Sequence, residues 1–247
     1  METRGIGVDV EHLENINDQL SKETRQLTKE IYDTVGHEFN INSPKQLSDV
    51  LFNELDLPNN KKGSTRESVL QELKGAHPIV EKLLEYRELN KMYTTYTTPL
   101  LEMALEENSE KGGEENSIHT DFNQIGTTSG RFSSSNPNMQ NLPLKGKWAE
   151  ELRKSFVPRK GFKFVAMDYS QIELRIMADI SKDDLLIKDF NDKLDIHKAT
   201  AARLLNKEVE EVTKTERSVG KTVNFGILLG QTAYGLASML GIDTEDA

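Results

Sequence analysis

The sequence predicts an α+β fold that is mostly helical. Over the first part of the chain, apolar residues recur at intervals of three and four, which is typical of amphipathic helices. After residue 117 the pattern changes to a long polar loop, a short apolar run (FKFVAM) and further helical stretches. Helices followed by mixed segments favour an α+β arrangement, with a domain boundary near residue 117.

Capping residues define the helices of the first part. Asp9 is a suitable N-cap and Gly36 a suitable C-cap for a first long helix. Ser43 followed by Pro44 predicts the start of a second helix, because proline is favoured in the first turn. Pro78 begins a longer one in the same way. The predicted helices span residues 10–35, 44–55, 65–73 and 78–96, and a turn or flexible link is expected at residues 107–117.

The second part is predicted to alternate between extended, irregular and helical segments. Residues 118–125 are expected to be extended, and residues 126–143 have almost no regular period. The apolar run at residues 162–167 predicts a short strand. Helices are predicted at residues 150–156, at residues 172–180, from Asp195 onward and at residues 214–234.

Composition excludes several classes of protein. The 247 residues are 36% hydrophobic and 29% charged, as in ordinary globular proteins, and no apolar run approaches the roughly 18 residues of a membrane span. Without cysteine there is no disulfide framework and no thiolate metal site. The start METRGIGVDV lacks the plan of a signal peptide. The motifs HExxH, GxxxxGKS/T and GxSxG are absent, so nothing favours a zinc protease, a Walker-type ATPase or a serine hydrolase.

The net charge of −10 weighs against nucleic acid as a partner, because phosphate contacts need Lys and Arg. The distribution of charge qualifies this. Residues 131–175 hold nine Lys or Arg against four Asp or Glu, whereas residues 101–116 hold six Glu and one Lys. A locally positive cleft on an acidic body and a solvated surface of mixed charge fit these numbers equally well.

Asp168 directly follows the apolar run, in the sequence DYSQIELR. A carboxylate at the end of a strand is held on a rigid element, and Mg²⁺ prefers one or two carboxylates together with substrate phosphates. The same residue would also suit the N-cap of the next helix. Both interpretations are open on the local sequence alone.

Four residues recur at every fourth position of RSVGKTVNFGILLG: Arg217, Lys221, Phe225 and Leu229. They would share one helix face over roughly 18 Å. Two cations followed by an aromatic ring suit a triphosphate and its base, although an amphipathic helix with solvated cations would show the same spacing. His197, at the head of DIHKAT, is by itself typical of a structural or solvated histidine.

Residues 127–143 (TTSGRFSSSNPNMQNLP) offer many amide and hydroxyl donors and one arginine, Arg131. Such a surface suits hydrogen bonds to a sugar–phosphate backbone or a minor groove. A surface loop without a function has a similar composition, but a long irregular loop in a compact domain is more often functional.

The motifs SGRFSSSNPNMQNLP, VAMDYSQIELR, DIHKATA and RSVGKTVNFGILLG occur in the order and spacing of a family A DNA polymerase. The chain resembles the polymerase region of that family over essentially its whole length. The resemblance implies a right-hand polymerase fold with thumb helices (residues 1–117), a partial palm sheet (118–200) and the start of the fingers, including the nucleotide-binding helix (201–247).

The resemblance also implies a role for each matching position. Asp168 would be one of two catalytic aspartates and would hold metal together with the carbonyl of Tyr169. Glu173 would guard the sugar pocket against a 2′-hydroxyl. The incoming nucleotide would be contacted by Glu173, His197, Arg217, Lys221, Phe225 and, at a position usually held by tyrosine, Leu229. The primer–template would be contacted by Lys91, Thr94, Thr95, Tyr96, Arg131, Gln140 and Asn141.

The implied reaction is DNA-templated DNA synthesis, in which a primer 3′-hydroxyl attacks the α-phosphate of a dNTP with two Mg²⁺ ions in the complete enzyme. The expected partners are primer–template DNA and dNTPs, with no membrane. The protein is expected to be a cytoplasmic monomer, encoded by a bacterium or a phage.

The sequence departs from the family in two places. It stops at Ala247, before the family's later His-Asp-Glu turn with the second metal-binding aspartate. We therefore interpret the chain as an internal piece of a longer polymerase and expect that it does not extend primers alone. Leu229 stands where the family usually has tyrosine, so it cannot offer Glu173 the tyrosine hydroxyl.

Two other functions remain open. The chain could be a natural short protein that keeps the thumb and half of the palm as a non-catalytic module for binding duplex nucleic acid. It could also be an RNA-dependent or phage-specific polymerase of the same fold. The retained Glu173 weighs against a ribonucleotide substrate, and Leu229 weakens that argument.

Overall fold

The computed structural model describes residues 2–59, 62–111 and 116–245, and the chain forms two compact units. The first unit is Met1–Val165 and the second is Ala166–Ala247. The boundaries predicted at residues 117 and 200 for thumb, palm and fingers stay predictions, since compactness does not define those functional parts. The predicted α+β class with mostly helical content is confirmed.

Helix α1 (Val10–Val35) begins and ends at the predicted caps. The Asp9 carboxylate accepts a hydrogen bond from the N–H of His12 at 3.0 Å, and Gly36 ends the helix with a φ of 89°. The apolar stripe of α1 is buried in the core of the first unit through Leu13, Ile16, Leu20, Leu27 and Ile31. Each of these burials contributes about 1.5–3 kcal/mol, so this stripe anchors the helix.

The other helices of the first unit are α2 (Pro44–Asp49), α3 (Glu67–Glu72), α4 (Pro78–Lys91), α5 (Thr98–Lys111) and α6 (Lys147–Lys154). Two π-helical segments, Val50–Glu54 and Met92–Thr97, interrupt what the sequence predicted as unbroken helices. In the second, the hydroxyls of Thr97 and Thr98 both donate to Asn17 Oδ1 on α1, at 2.6 and 2.9 Å. These hydrogen bonds tie the widened turn to α1. Of the link predicted at residues 107–117, the helix occupies the part up to Lys111, and residues 112–115 lie outside the described residues.

Five short strands complete the first unit: β1 (Ile6–Val8), β2 (Ser117–Ile118), β3 (Asp121–Asn123), β4 (Ser133–Ser135) and β5 (Phe156–Val157). One antiparallel sheet has the order β2-β1-β5, with Gly7 opposite Ser117 and Val157. Strands β3 and β4 form a separate antiparallel pair. This pair holds the end of the polar loop close to the segment that carries Gln140 and Asn141.

The second unit contains five α-helices within its described residues: α7 (Ile172–Ser181), α8 (Asp184–Asn191), α9 (Ile196–Leu205), α10 (Lys214–Leu228) and α11 (Ala233–Leu240). Helices α9 and α10 approach closely because Gly220 has no side chain. A Cβ atom at Gly220 would clash with the backbone carbonyl oxygen of His197, far inside van der Waals contact. The sequence therefore brings His197 against the middle of α10.

Two predictions about the second part are wrong. Residues 162–167 form no strand, because no described segment pairs with them, and Phe162, Val165 and Met167 are exposed. Helix α10 ends at Leu228 and not near Tyr234, because Gly230 adopts a left-handed φ of 69° that ends the helix. Leu229 is therefore the C-cap residue and lies just beyond the helical face that it was expected to share.

Among the described residues, no helix is both long enough and apolar enough to cross a membrane.

Candidate functional site

Asp195 joins the starts of the two central helices of the second unit. Its Oδ1 accepts hydrogen bonds from the N–H groups of His197 and Lys198, both at 3.1 Å, and caps α9. Its Oδ2 accepts from Arg217 Nε on α10 at 2.7 Å. Burial acts to raise the pKa of Asp195, but the Arg217 side chain and the two backbone N–H groups together lower it. The carboxylate is therefore charged near neutral pH and holds Arg217 in place.

Among the residues that the structure describes, Arg217 is bound through Nε alone, so its terminal nitrogens can still face a ligand. Its side chain is 38% exposed. A guanidinium presents a planar fork of N–H donors that matches phosphate oxygens. The Asp195 contact thus orients a fork that remains open towards solvent.

Lys221, His197 and Phe225 form the rest of the cluster. The Lys221 ammonium lies 6.0 Å from the centre of the Phe225 ring, at the outer limit of a cation–π contact. The His197 ring lies 5.8 Å from the same ring and is tilted by 39°. The structure thus brings together Arg217, His197, Phe225 and Lys221, as the predicted nucleotide site requires.

His197 is buried, with 4% of its surface exposed. Burial lowers the pKa of His197, the charges of Arg217 and Lys221 lower it further, and Asp195 opposes them. The ring is therefore neutral near pH 7, and the cluster carries its positive charge on Arg217 and Lys221.

A short chain of hydrogen bonds reaches His197 from behind. Thr200 Oγ1 donates to Asn224 Oδ1 at 3.0 Å, and Asn224 Nδ2 lies 3.1 Å from His197 Nδ1. Sequence reasoning missed Thr200 and Asn224, and treated Asp195 only as the start of a helix. Asn224 follows Lys221 by three residues and precedes Phe225. This position beside two predicted nucleotide ligands could have indicated that Asn224 belongs to the site.

Glu173 and Leu229 line the same shallow pocket. The pocket has a volume of about 280 Å³. It is otherwise apolar, with Ile176, Met177, Ile180 and Leu228 as the remaining lining residues. Glu173 is half-buried, and Leu229 is 75% exposed.

Asp168 and Tyr169 lie in an irregular segment before α7, and both are exposed. The N-cap interpretation of Asp168 is wrong, because α7 begins at Ile172 with Gln171 in the cap position. Within the described residues, no hydrogen bond or ion pair joins Asp168 to Arg217 or to the rest of the cluster, and no three His, Asp or Glu side chains are grouped as a metal site. A carboxylate and a backbone carbonyl are nevertheless oxygen donors of the kind Mg²⁺ prefers, and Mg²⁺ takes its remaining ligands from water and phosphates. These two residues therefore fit as part of a metal site.

The residues predicted to contact DNA lie in the first unit. Lys91, Thr94 and Thr95 are exposed at the end of α4 and in the π-helical segment that follows. The Tyr96 hydroxyl donates to the backbone carbonyl of Asn141 at 2.9 Å, which ties this segment to the polar loop. Of the predicted residues, the structure thus brings Tyr96 and Asn141 into contact.

Lys91, Tyr96 and Asn141 also line a cleft of about 960 Å³ in the first unit. Its lining contains four cations and four carboxylates: Lys74, Arg87, Lys91 and Lys145, and Glu67, Glu81, Glu85 and Glu88. Arg87 is committed to the fold, because it donates to the carbonyl of Thr65 at 2.6 Å. The cleft therefore has mixed charge.

Gln140 and Arg131 lie apart from that cleft. Gln140 is exposed and lines a smaller pocket of about 420 Å³. Arg131 is exposed, and its backbone carbonyl accepts a hydrogen bond from the Thr127 hydroxyl at 2.7 Å. The buried Thr120 hydroxyl lies 2.6 Å from that of Ser134 and donates to the carbonyl of Pro137 at 2.6 Å, which fixes the loop before Gln140.

Comparison with known proteins decides the family. The family model described as DNA polymerase family A matches residues 10–247, nearly the whole chain. The chain belongs to DNA polymerase family A. This confirms the resemblance carried by the DYSQIELR and RSVGKTVNFG motifs.

Bacterial relatives support the same family. DNA polymerase I of Synechocystis sp. is 40% identical over 252 residues, covering 100% of this chain and 25% of that protein. The thermostable DNA polymerase I of Thermus thermophilus is 42% identical over 253 residues, covering 100% of this chain and 30% of that protein. This family A chain therefore spans less than a third of the length of these relatives.

A solved structure shares the fold. The polymerase domain of Pol1 from M. smegmatis, in complex with DNA primer-template and dNTP, matches with a TM-score of 0.85 and 36% identity. The match covers 98% of this chain and 42% of that chain. The family A fold is therefore present over nearly all of this sequence.

Proposed function

We propose that this chain binds a dNTP and a primer–template as part of a family A polymerase that carries out DNA-templated DNA synthesis. The observation that carries the proposal is the cluster on α9 and α10, where Asp195 orients Arg217 beside Lys221, Phe225 and His197. The similar Pol1 domain was solved with DNA and dNTP bound, which supports the same ligand class here.

In this proposal, three residues of the cluster and Glu173 contact different parts of the nucleotide. The open fork of Arg217 and the ammonium of Lys221 bind the triphosphate by charge and hydrogen bonds. The Phe225 ring packs near the base and sugar. Glu173, in the pocket it shares with Leu229, lies near the sugar and disfavours a 2′-hydroxyl.

Asp168 and the carbonyl of Tyr169 would hold metal next to the same triphosphate. Two divalent cations, when bound, stabilise the attacking and leaving oxygens of nucleotidyl transfer. Mg²⁺ is the proposed ion, because the two donors are oxygens and the substrate supplies phosphates. The exposed position of Asp168 leaves its carboxylate accessible to an ion.

The primer–template is proposed to contact the first unit. Lys91 and the exposed hydroxyls of Thr94 and Thr95 would follow the sugar–phosphate backbone. Tyr96 and Asn141 would act together, since they are already hydrogen-bonded. Arg131 would lie near the primer terminus, and Gln140 beside it. Contacts of this kind position a duplex without reading its sequence.

We further propose that the 247-residue chain alone does not extend primers. The described residues provide no cluster of three His, Asp or Glu side chains for metal, and the sequence contains no His-Asp-Glu motif, which carries the second metal-binding aspartate of the family. In a primer-extension assay with purified chain, dNTPs and Mg²⁺, we expect no product, and template-dependent product would refute the proposal.

A titration with dNTP tests the binding function directly. Wild-type chain should bind dNTP, and Arg217→Lys should weaken binding about tenfold, because lysine cannot keep the Asp195 contact and offer a planar fork. Lys188→Ala is the control, since Lys188 is an exposed cation on α8. Because Arg217→Lys keeps the charge and Lys188→Ala removes one, an equal loss in both variants would mean that the planar fork of Arg217 does not bind the dNTP.

The same titrations separate the alternatives. A non-catalytic duplex-binding module would bind duplex DNA and show no dNTP binding. An enzyme of the same fold for ribonucleotides would prefer rNTP to dNTP. We also propose that the protein is a cytoplasmic monomer. Gel filtration tests the monomeric state, and fractionation of cells that express the protein tests its location.

A further inference from the structure

We propose that Thr200 and Asn224 fix the tautomer of His197, so that Nε2 carries the proton and donates a hydrogen bond to a phosphate oxygen of the nucleotide. The phosphate part of this inference rests on the proposed function, whereas the tautomer part does not. Thr200 and Asn224 would be positioning residues that act through His197.

The direction of the hydrogen bonds determines the tautomer. Thr200 Oγ1 donates to Asn224 Oδ1 at 3.0 Å, so the amide oxygen of Asn224 faces Thr200. The amide nitrogen then faces His197 Nδ1 at 3.1 Å. An amide nitrogen is only a donor, so Nδ1 must accept and cannot carry a proton. The proton of the neutral ring is therefore on Nε2.

The surroundings keep the ring neutral and leave Nε2 open. His197 is buried, and the charged groups that face it are Asp195 at the head of α9, and Arg217 and Lys221 on α10. No residue within 2–59, 62–111 or 116–245 forms a hydrogen bond with Nε2, and Nε2 is not among their fully buried unpaired atoms. Nε2 thus keeps access to solvent, from which a ligand would come.

The close packing at Gly220 makes the arrangement possible. Because Gly220 allows the carbonyl of His197 to approach α10, the Asn224 side chain, one turn further along, reaches the His197 ring. A neutral donor adds a hydrogen bond to a phosphate without adding a third charge that Arg217 and Lys221 would repel.

Nitrogen NMR of the ¹⁵N-histidine-labelled 247-residue chain tests the tautomer. The His197 signal is assigned by its loss in His197→Gln. We expect a protonated Nε2 and an unprotonated Nδ1 in the wild type. Asn224→Asp should reverse this pattern, because a carboxylate accepts from Nδ1–H. Thr200→Val should give a mixture, since the amide can then turn, and Thr215→Val on an exposed position of α10 should change nothing.

Titration with dNTP tests the phosphate contact. Asn224→Asp should weaken binding about tenfold more than Ser218→Asp, which adds the same charge on α10, as expected for loss of a hydrogen bond to a charged group.

Wild-type protein with the proton on Nδ1, or an unchanged pattern in Asn224→Asp, would overturn the tautomer assignment. Equal affinities of the two variants, with Arg217→Lys still weakened, would overturn the phosphate contact. No dNTP binding by any form would overturn the proposed function and the phosphate contact together, and the NMR result would still decide the tautomer.

Discussion

Asp195 divides its carboxylate between two helices, with one oxygen on the N-terminus of α9 and the other on Arg217 of α10. The capping aspartate at the start of DIHKAT was predictable because capping is a local property. The contact with Arg217 joins residues 22 positions apart and depends on how α9 and α10 pack. Asp195 therefore has a local role, as the cap of α9, and a tertiary role, as the partner of Arg217 on α10.

Asp195→Asn separates the two roles. Asparagine also caps helices, so α9 should remain folded. Asp195 raises the pKa of His197, and removing its charge should therefore lower that pKa further. NMR titration of the His197 ring measures this, with Asp184→Asn on α8 as the control. A pKa of His197 that rises in Asp195→Asn would contradict the electrostatic account of the cluster.

The neutral state of buried His197 predicts a pH dependence of stability. Its pKa is lowered in the folded chain, whereas the unfolded ring titrates near about 6.5. Its contribution is therefore present above the unfolded pKa and is lost as pH falls below it, because the unfolded state then binds the proton more readily. Amide hydrogen exchange should show a lower opening free energy for α9 and α10 at pH 5.5 than at pH 7.5. His197→Gln should reduce this difference, and an identical difference in that variant would assign it to other groups.

Leu229 offers a test of the sugar pocket. Leu229→Tyr would supply a hydroxyl close to Glu173, which lines the same pocket. We expect the ratio of dNTP to rNTP affinity to change by about three- to tenfold, the scale of one hydrogen bond, with duplex affinity unchanged. Leu229→Phe adds the ring without the hydroxyl and is the matched control. Unchanged ratios in both variants would remove Leu229 from nucleotide discrimination.

At the scale of elements, the position where α10 ends determines which of the four regularly spaced residues lie on one helix face. Arg217, Lys221 and Phe225 lie on the helix, while Leu229 is the C-cap and Gly230 turns the chain with a φ of 69°. The four-residue spacing predicted one continuous face. The spacing could not reveal that Gly226 stays helical whereas Gly230 ends the helix.

Substitution of Gly230 tests this helix end. Alanine in a left-handed conformation costs roughly 1–2 kcal/mol, whereas asparagine tolerates it better. Gly230→Ala should therefore destabilise the end of α10 by about 1 kcal/mol more than Gly230→Asn. Hydrogen exchange of the amides between Val223 and Leu228 measures the difference. Equal exchange in the two variants would mean that the turn at Gly230 does not set the helix end.

The failed strand at residues 162–167 has a different cause. Its composition is that of a strand, but a strand requires a partner, and no described segment pairs with it. The helices with local caps, α1 and α9, were predicted correctly because Asp9, Gly36 and Asp195 act within one turn. Strand pairing and the π-helical turn tied to Asn17 are long-range properties, which the local sequence does not contain.

At the scale of the whole molecule, the two units differ in how much apolar surface they bury. The first has an extensive core along α1 and α4, whereas the core of the second centres on Ala201, Ala202 and Val212. The net charge of −10 did not decide the ligand class, because Arg217 and Lys221 place positive charge locally on α10. The family was thus predictable from motifs, and most helices were predictable from their caps. The hydrogen bonds around His197 were not, because they depend on how α9 and α10 pack.

Hydrogen exchange with and without dNTP and Mg²⁺ tests the central claim, that α9 and α10 together form the nucleotide site. A ligand that binds only the folded state raises protection where it binds. We predict increased protection in α9 and α10 of the wild-type chain and its loss in Arg217→Lys, with α1 and α4 unchanged in both. Protection that appears only in the first unit, or that persists unchanged in Arg217→Lys, would contradict the account.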